Sequence, residues 1–388
     1  MLLLILRKKY FDVNLNKLHR ITYSLFFCLA FLISETHAEG AAVIDSTGKD
    51  SIRKNSFLPV PILNYSPETS FLFGISALHT FYLGKDSITR PSFAFITGIY
   101  TLKKQIISDL YINSWGKENK YHYLFDLSYL KYNYFYYGIG NETKLSNEEM
   151  LDQKKLELSF NIERKITNTF YAGADVSYKN DHYSAPWTTG IWDPVNTIGA
   201  KGGKIPRAGV AFIYDSRDTY TDARKGNYAK LNLSHTMPGI SDFDFTKVAF
   251  ESRHFFTLKE KHTFGFNTNI ETTQGQQPFF ELRTMGSPFM MRGYYTGRFR
   301  DQNYVAAQTE YRYRFSKRVG VVAFAGTGMV FRNDNFALAR LKPNYGIGLR
   351  YFYDPASRIN IRLDYGFGAK SPGEKRINNF YLFIGEAF

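Results

Sequence analysis

Cysteine and tryptophan are nearly missing from this chain of 388 residues, which has 1 cysteine and 3 tryptophans. The cysteine, Cys28, lies in an apolar run close to the start of the sequence. The remainder of the chain therefore has no thiol for a disulfide or a thiolate metal site.

Long apolar runs are also missing beyond residue 40. A helix that crosses a bilayer needs about 20 consecutive, mainly apolar residues. No later stretch approaches that length, although 44% of the residues are hydrophobic. Apolar and polar residues are interspersed instead, so the mean hydropathy is −0.32. This pattern argues against a membrane protein built of helices and is typical of transmembrane strands, in which half of the side chains face water.

Motifs of enzymes are missing as well. The chain has no G-x-S-x-G elbow, P-loop or dinucleotide-binding motif, and no two histidines stand at a metal-ligand spacing. Five histidines fall in ordinary strand-like patterns: His79, His122, His235, His254 and His262. The sequence therefore predicts no enzyme, no cofactor and no metal site.

The chain is rich in tyrosine (29), phenylalanine (35) and positive charge, with a net charge of +14. The basic residues are spread along the whole chain and alternate with aromatic residues. They resemble no nucleic-acid-binding module, so we expect no nucleic-acid partner. Lysines and arginines that line a wet lumen and polar loops explain the charge better. Some of them could also pair with lipopolysaccharide phosphates at an outer rim.

The start of the sequence has the features of a targeting segment. A basic region precedes an apolar run at 21–33, and Thr36-His37-Ala38 resembles a small-x-small cleavage site. We therefore expect a signal peptide at 1–38, a short periplasmic segment at 39–56 and a transmembrane barrel at 57–388.

Alternation with a period of two is the main structural signal. In 357–369, Ile361, Leu363 and Tyr365 share one face, whereas Arg362 and Asp364 share the other. The same pattern, bounded by turn residues, predicts sixteen strands. They span 57–65, 69–82, 91–102, 105–115, 120–131, 152–164, 168–180, 203–214, 226–237, 243–256, 261–272, 302–315, 318–332, 341–353, 357–369 and 378–388.

Connection lengths alternate as well. If the first strand runs outward, the outer connections include the long segments 132–151, 181–202 and 273–301, whereas most inner turns are short. This asymmetry and the even strand count are typical of barrels in the bacterial outer membrane. We therefore predict an all-β fold: a closed antiparallel transmembrane β-barrel of about 16 strands with an inward-folded sixth outer loop.

Three segments resemble the BamA/TamA superfamily of outer-membrane assembly and translocation barrels, the bacterial surface antigens. The turn Tyr214-Asp215-Ser216-Arg217-Asp218 through Lys225-Gly226 resembles the family's "YDxRD…KG" pattern. Met291-Arg292-Gly293-Tyr294 resembles its sixth-loop "(V/L)RG(F/Y)" signature. The stretches 346–350 and 362–366 resemble its closing strands. The likeness is strong over the second half of the chain and weak over the first.

The sixth loop has a physical requirement of its own. If this long loop folds into the lumen, Arg292 needs a carboxylate there, because a lone buried charge is costly. Glu310 lies on the polar face of the following strand and is the expected partner. The resemblance implies the same pair. The family's usual aspartate in the "FxDxGxV" pattern is replaced here by Gly326, which removes one expected anchor.

The turn residues Asp215, Arg217, Asp218 and Gly226 have a structural explanation. Aspartates bind turn amides and glycine adopts positive φ, so we favour turn formation over a catalytic or metal cluster.

The last strand shows apolar residues at period two: Phe380, Leu382, Ile384 and Phe388. We expect them to share the lipid face and to resemble the insertion signal of outer-membrane barrels. Glu386 would interrupt that face, and Pro59 and Pro61 would weaken the first strand.

The resemblance implies a bacterial outer-membrane protein that assists insertion or translocation of polypeptides or lipids. It also implies a weak seam between the first and last strands. Most relatives carry POTRA repeats before the barrel, whereas residues 39–56 are too few and too polar to fold alone, so we expect a barrel without them. The expected partners are outer-membrane lipids, lipopolysaccharide, client polypeptides and periplasmic proteins or lipoproteins. A porin-like channel and a surface-structural barrel remain alternatives.

Overall fold

The computed structural model describes residues 55–388 apart from 67–69, 85, 87, 188–189, 220, 356–357, 372 and 375. The predicted signal peptide and residues 39–54 of the predicted periplasmic segment lie outside the described residues. Within the described ranges, no helix has the length and apolar character needed to cross a bilayer.

The fold is a 16-stranded antiparallel sheet in which each strand pairs with the next member of that sheet along the chain. Its strands are β1 (Ser56–Ser66), β2 (Ser70–Phe81), β3 (Ser92–Thr101), β4 (Ile106–Trp115), β5 (Tyr121–Tyr136), β6 (Glu149–Lys165), β7 (Phe170–Trp187), β8 (Gly202–Asp215), β9 (Gly226–Thr236), β10 (Phe245–Lys259), β11 (His262–Gly275), β14 (Asn303–Arg314), β15 (Val319–Phe331), β16 (Lys342–Asp354), β17 (Ile359–Phe367) and β18 (Asn378–Ile384). The short strands β12 (Arg283–Met285) and β13 (Phe299–Asp301) form a separate hairpin inside one loop.

The predicted all-β barrel architecture and strand count are confirmed. The main differences are at strand ends. β5 and β7 continue five and seven residues beyond their predicted ends at 131 and 180, because residues beyond the alternating segment still pair in the ladder. The last strand ends at Ile384, four residues earlier than predicted.

We call the end of the barrel with the loops 137–148, 190–201 and 276–302 its outer end, and the opposite end its inner end. The loop 276–302, the sixth at the outer end, carries the β12–β13 hairpin. It turns inward, and the buried cluster that it forms with strand residues consists of Met285, Met290, Met291, Tyr294, Phe299, Tyr304, Ala306 and Val330. An apolar core in the lumen is thus built around a loop.

The two faces of the strands differ as the alternation predicts. On β14, Glu310 and Arg312 are buried on the lumen side, whereas Tyr311 and Tyr313 are partly exposed on the other side. On β17, Arg362 is buried beside the partly exposed Ile361. The outward face is the one suited to lipid.

Cysteine substitution tests this register. We expect cysteines at positions 311 and 361 to resist a membrane-impermeant thiol reagent in intact membranes, because lipid covers them. A cysteine at position 337, which is exposed in the outer loop 332–341, is the positive control. Ready labelling at 311 and 361 would mean that the register is shifted by one residue and that the lumen assignments fail.

Candidate functional site

The sixth outer loop is anchored in the lumen by Arg292, whose side chain is fully buried. Its guanidinium contacts the carboxylate of Glu310 on β14. A second nitrogen, Nη1, donates to Oδ2 of Asp364 on β17 at 2.5 Å. The guanidinium also lies over the ring of Phe324 on β15, 3.5 Å from its centroid. Three strands therefore hold one loop residue, with charge-assisted hydrogen bonds to two of them.

The same two carboxylates also serve other arginines. Glu310 accepts a hydrogen bond from Arg312 at 2.9 Å. Asp364 accepts from Arg350 at 2.6 Å and from Arg362 at 3.2 Å. All these side chains are buried. Because each charge has an opposite charge within hydrogen-bonding distance, the network avoids the large penalty of a lone buried ion.

Asp364 supplies an acidic anchor that is missing at Gly326. The sequence indicated that the acidic anchor of the family pattern is missing at Gly326 on β15, and in this structure β17 supplies a second acidic partner of Arg292 instead. A Cβ added at Gly326 would lie 2.7 Å from Oδ1 of Asn344. Asn344 in turn donates to the backbone oxygen of Arg292 at 3.1 Å. The glycine leaves the space in which the loop backbone is held.

The tip of the loop also needs its own glycine. Gly293 has φ +109, and a Cβ there would lie 2.5 Å from the backbone carbon of Phe367. Met291 before it is buried at φ +55. The hydroxyl of Tyr294 donates to the oxygen of Pro343 at 2.7 Å and accepts from the amide of Ala369 at 2.8 Å. The four residues of the loop motif are thus fitted against β16 and β17.

The loop tip also contacts the last strand. The amide of Gly293 donates to the hydroxyl of Tyr381 at 2.9 Å, and the side chain of Asn379 donates to the oxygen of Gly293 at 3.2 Å. The ring of Phe289 packs edge-on against Phe383, with 5.5 Å between centroids. β18 is therefore tied to the loop through three side chains on its lumen face. No sequence pattern indicated this contact.

The beginning of the loop crosses to the opposite wall. Glu281 accepts hydrogen bonds from Lys179 on β7 at 2.5 Å and from Arg207 on β8 at 3.2 Å. Phe279 belongs to a buried aromatic cluster below the outer loops, together with Tyr136, Tyr183 and Trp192. The loop thus spans the lumen from β7 and β8 to β17 and β18.

Beside the loop, the wall is lined with charged residues. A cavity of about 150 Å³ lies against β9, β10 and β11, and its lining includes Lys230, Asn232, Glu251, Glu271 and Arg283. Polar groups of this kind are suited to water. The lining also includes Phe250, Ile270 and Tyr304, so the space beside the loop is a cavity with a mixed polar and apolar wall.

The turn 216–225 at the inner end has the geometry of a well-formed turn. Asp215 accepts from Arg217 Nε at 2.9 Å, and Asp218 accepts from the amide of Arg224 at 2.9 Å and from Arg358 at 2.7 Å. Gly226 has φ +97, and a Cβ there would lie 2.2 Å from the oxygen of Ser216. These contacts fit the interpretation of the motif as turn chemistry.

The segment after β18 does not follow the predicted lipid-facing pattern. Gly385, at φ +90, turns the chain inward. Phe388 is buried against Ala223 and Phe255, and its backbone oxygen accepts from Arg312 at 2.8 Å. The expectation that Phe388 shares a lipid face with Phe380 was therefore wrong, because the strand ends before it.

The expectation for Glu386 was also wrong. It does not interrupt an apolar face; its carboxylate accepts from Arg350 and from Asn360, each at 2.7 Å. Burial raises the pKa of Asp222 in the inner turn to about 6, and the negative charge of Glu386 is the second contribution to this shift. The inner turn and the segment after β18 thus close over the inner end of the arginine network.

One histidine has more partners than the alternation suggested. His122 is buried, lies 2.7 Å from Glu163 and 3.1 Å from Asn113, and stacks on Trp115 with 3.8 Å between centroids. Among the described residues, no group of three or more His, Cys, Asp and Glu side chains could hold a metal ion.

The fold and this site define a class: an antiparallel β-barrel with an outer loop fixed in its lumen by a buried arginine. The Omp85 superfamily domain matches residues 99–388. The chain therefore belongs to the Omp85 superfamily, and it is a bacterial outer-membrane β-barrel protein.

Solved structures support the fold. BamA from Haemophilus ducreyi lacking POTRA domains 1-3 is similar with a TM-score of 0.58 and 13% identity, over 86% of this chain and 70% of that chain. CdiB from Acinetobacter baumannii has a TM-score of 0.52 and 13% identity, over 84% of this chain and 60% of that chain. CdiB from Escherichia coli has a TM-score of 0.51 and 9% identity, covering 85% and 61%. No curated protein matches the chain.

Proposed function

We propose that this barrel assists the insertion or translocation of polypeptides, or of lipids, at the outer membrane through a seam between β1 and β18. The observation that carries the proposal is the anchored sixth loop, which occupies the lumen and binds the last strand at Gly293. Loop position and strand position are thereby linked. The clients are polypeptides or lipids, and the proposed action involves no catalysis.

A passive pore would be built differently. A porin works through a lumen that stays open, with a constriction formed by a loop and charged rings. Here the loop crosses the lumen from Glu281, which binds β7 and β8, to Arg292, which binds β14 and β17. The cavity beside β9, β10 and β11 leaves room for water but is bordered by Arg283 of the same loop. These features favour a regulated barrel over a permanent channel.

The strands that border the proposed seam are poorly suited to a rigid closure. Pro59 and Pro61 on β1 have no amide hydrogen, and each removes one possible hydrogen bond of a ladder. β18 has seven residues, whereas β16 has thirteen. A short strand next to a strand with two prolines can form few hydrogen bonds, so we expect the seam to open at low cost.

Conductance and cross-linking together test the proposal. In planar bilayers we expect low, flickering conductance. Cysteine pairs between 57–61 and 379–383 should cross-link poorly. The control pair replaces Leu349 and Leu363, which are directly opposite each other on β16 and β17, and it should cross-link in high yield. A large, steady conductance together with a fully cross-linkable seam would favour a passive pore and contradict the proposal.

Activity is tested in liposomes. Vesicles that contain the barrel should take up a small, urea-denatured outer-membrane protein faster than empty vesicles, as measured by protease protection of the client. The disulfide between positions 349 and 363 should leave that rate unchanged. An equal rate in empty vesicles would leave the surface-structural alternative as the better account.

A further inference from the structure

Three neighbouring strands carry a row of basic side chains near the outer end of the barrel. In the ladders, Lys131 on β5 lies directly opposite Lys154 on β6, and Lys154 lies directly opposite His182 on β7. All three side chains are exposed. Side chains in directly opposite positions have Cβ atoms roughly 5 Å apart, so the two lysine charges are held close together.

The row faces away from the lumen. On β6 the residues on either side of Lys154 point inward: Gln153 donates to Asp181 at 2.6 Å, and Lys155 donates to Glu157 at 2.7 Å. Since successive side chains of a strand alternate between its two faces, Lys154 is on the outward face.

The row has one carboxylate beside it, that of Asp152, which interacts electrostatically with Lys131. In the described part of the chain, neither lysine forms an ion pair with a carboxylate. The outward acid nearest along β6, Asp152, accepts a hydrogen bond from the side chain of Asn133 at 2.6 Å. Like charges directly opposite each other destabilise a sheet. An anion bound between them would remove that repulsion.

The row also lies at one border of the apolar belt. On the outward face of β6, Lys154 is followed by Leu156, Leu158 and Phe160, and the exposed Arg164 lies near the other end. Ten residues separate Lys154 from Arg164. At about 3.3 Å per residue and a tilt of roughly 40°, they are about 25 Å apart along the barrel axis, which matches the height of the lipid-facing band. The lysines therefore lie at the level of lipid head groups in the outer leaflet.

We propose that Lys131, Lys154 and His182 form a binding site for the phosphates of lipopolysaccharide. Two ammonium groups and an imidazole offer hydrogen bonds to phosphate oxygens, and the apolar side chains below them contact the acyl chains. Tyr129, directly opposite Leu156, places a further aromatic ring beside this surface. The site is separate from the anchored loop and does not depend on assembly activity.

The test uses the full barrel in phosphatidylcholine nanodiscs, with bound lipopolysaccharide counted by native mass spectrometry. The double variant Lys131→Gln/Lys154→Gln should bind at least about tenfold more weakly, since each basic residue near a charged surface contributes an appreciable attraction. Arg164→Gln removes an equal charge from the same strand at the other border of the belt, and it should bind like the unchanged protein. Heat-modifiable mobility confirms that each variant is folded.

Three comparisons identify the ligand. Dephosphorylated lipopolysaccharide should bind as weakly as the double variant binds the intact lipid. Phosphatidylglycerol or inorganic phosphate that binds as tightly as lipopolysaccharide would overturn the assignment, and so would full binding by the double variant. In the unchanged protein, lipopolysaccharide should protect the amine of Lys154 from an amine-reactive label. Equal labelling with and without the lipid would contradict the proposal even if the double variant failed to fold.

Discussion

Replacing Arg292 with methionine is expected to release the sixth outer loop and to lower the free energy of unfolding by about 3–5 kcal/mol, as for other broken buried ion pairs. The change leaves Glu310 and Asp364 with one fewer cation in a site that water does not reach. Urea unfolding in detergent measures the loss, and limited proteolysis should show new cleavage within 276–302. Arg332→Met is the matched control: Arg332 is an exposed outer-loop arginine paired with Asp334, so its loss should have little effect.

A double-mutant cycle shows whether the effect comes from the ion pair. Glu310→Gln should also destabilise the loop, and the combination with Arg292→Met should cost little more than either change alone. Additive effects of the two changes would mean that the contact contributes no coupling energy. The anchoring role that we propose for the pair would then be abandoned.

Gly293→Ala is expected to release the loop without changing any charge. Alanine would have to adopt φ +109, with its Cβ 2.5 Å from the backbone of Phe367. Backbone strain and overpacking each cost about 1–3 kcal/mol, so we expect a loss of about 2–5 kcal/mol in the same unfolding measurement. Loop cleavage by protease should rise to the level of the Arg292 variant.

A substitution at Gly190 distinguishes backbone strain from overpacking. Its φ is +107, and a Cβ there would meet nothing within 4 Å. Gly190→Ala therefore reports the backbone strain alone, and we expect it to cost clearly less than Gly293→Ala. Equal losses would show that the close approach to β17 is unimportant.

Much of the fold could be predicted from the sequence because transmembrane strands face lipid on one side and water on the other. That constraint makes apolar and polar residues alternate along each strand. From this alternation most strand ends could be predicted to within about three residues. The alternation no longer predicts the strand where the strand extends beyond the membrane. The outer ends of β5 and β7 contain residues such as Asp181 and Tyr183, which pair in the ladder without facing lipid.

The candidate site was predictable only in part. Arg292 and Glu310 could be paired because they are close in sequence and a buried arginine needs a carboxylate. Asp364, Tyr381 and Phe388 could not be assigned in this way, since their contacts depend on which distant strands meet in the lumen. The inward turn at Gly385 could not be predicted from the sequence either, because one glycine at the end of an alternating segment is compatible with a continuing strand.

The anchored loop has a consequence for the order in which the barrel folds. Every ladder of the main sheet joins strands that are consecutive in that sheet, so most hairpins can form early with short loop closures. The pair of β11 and β14, which the loop 276–302 separates, is the exception. Arg292, by contrast, lies 72 residues before Asp364, and Gly293 lies 88 residues before Tyr381. The loop therefore cannot be seated until the last two strands have arrived. The loop is therefore anchored late, and an anchored loop indicates that the barrel is complete.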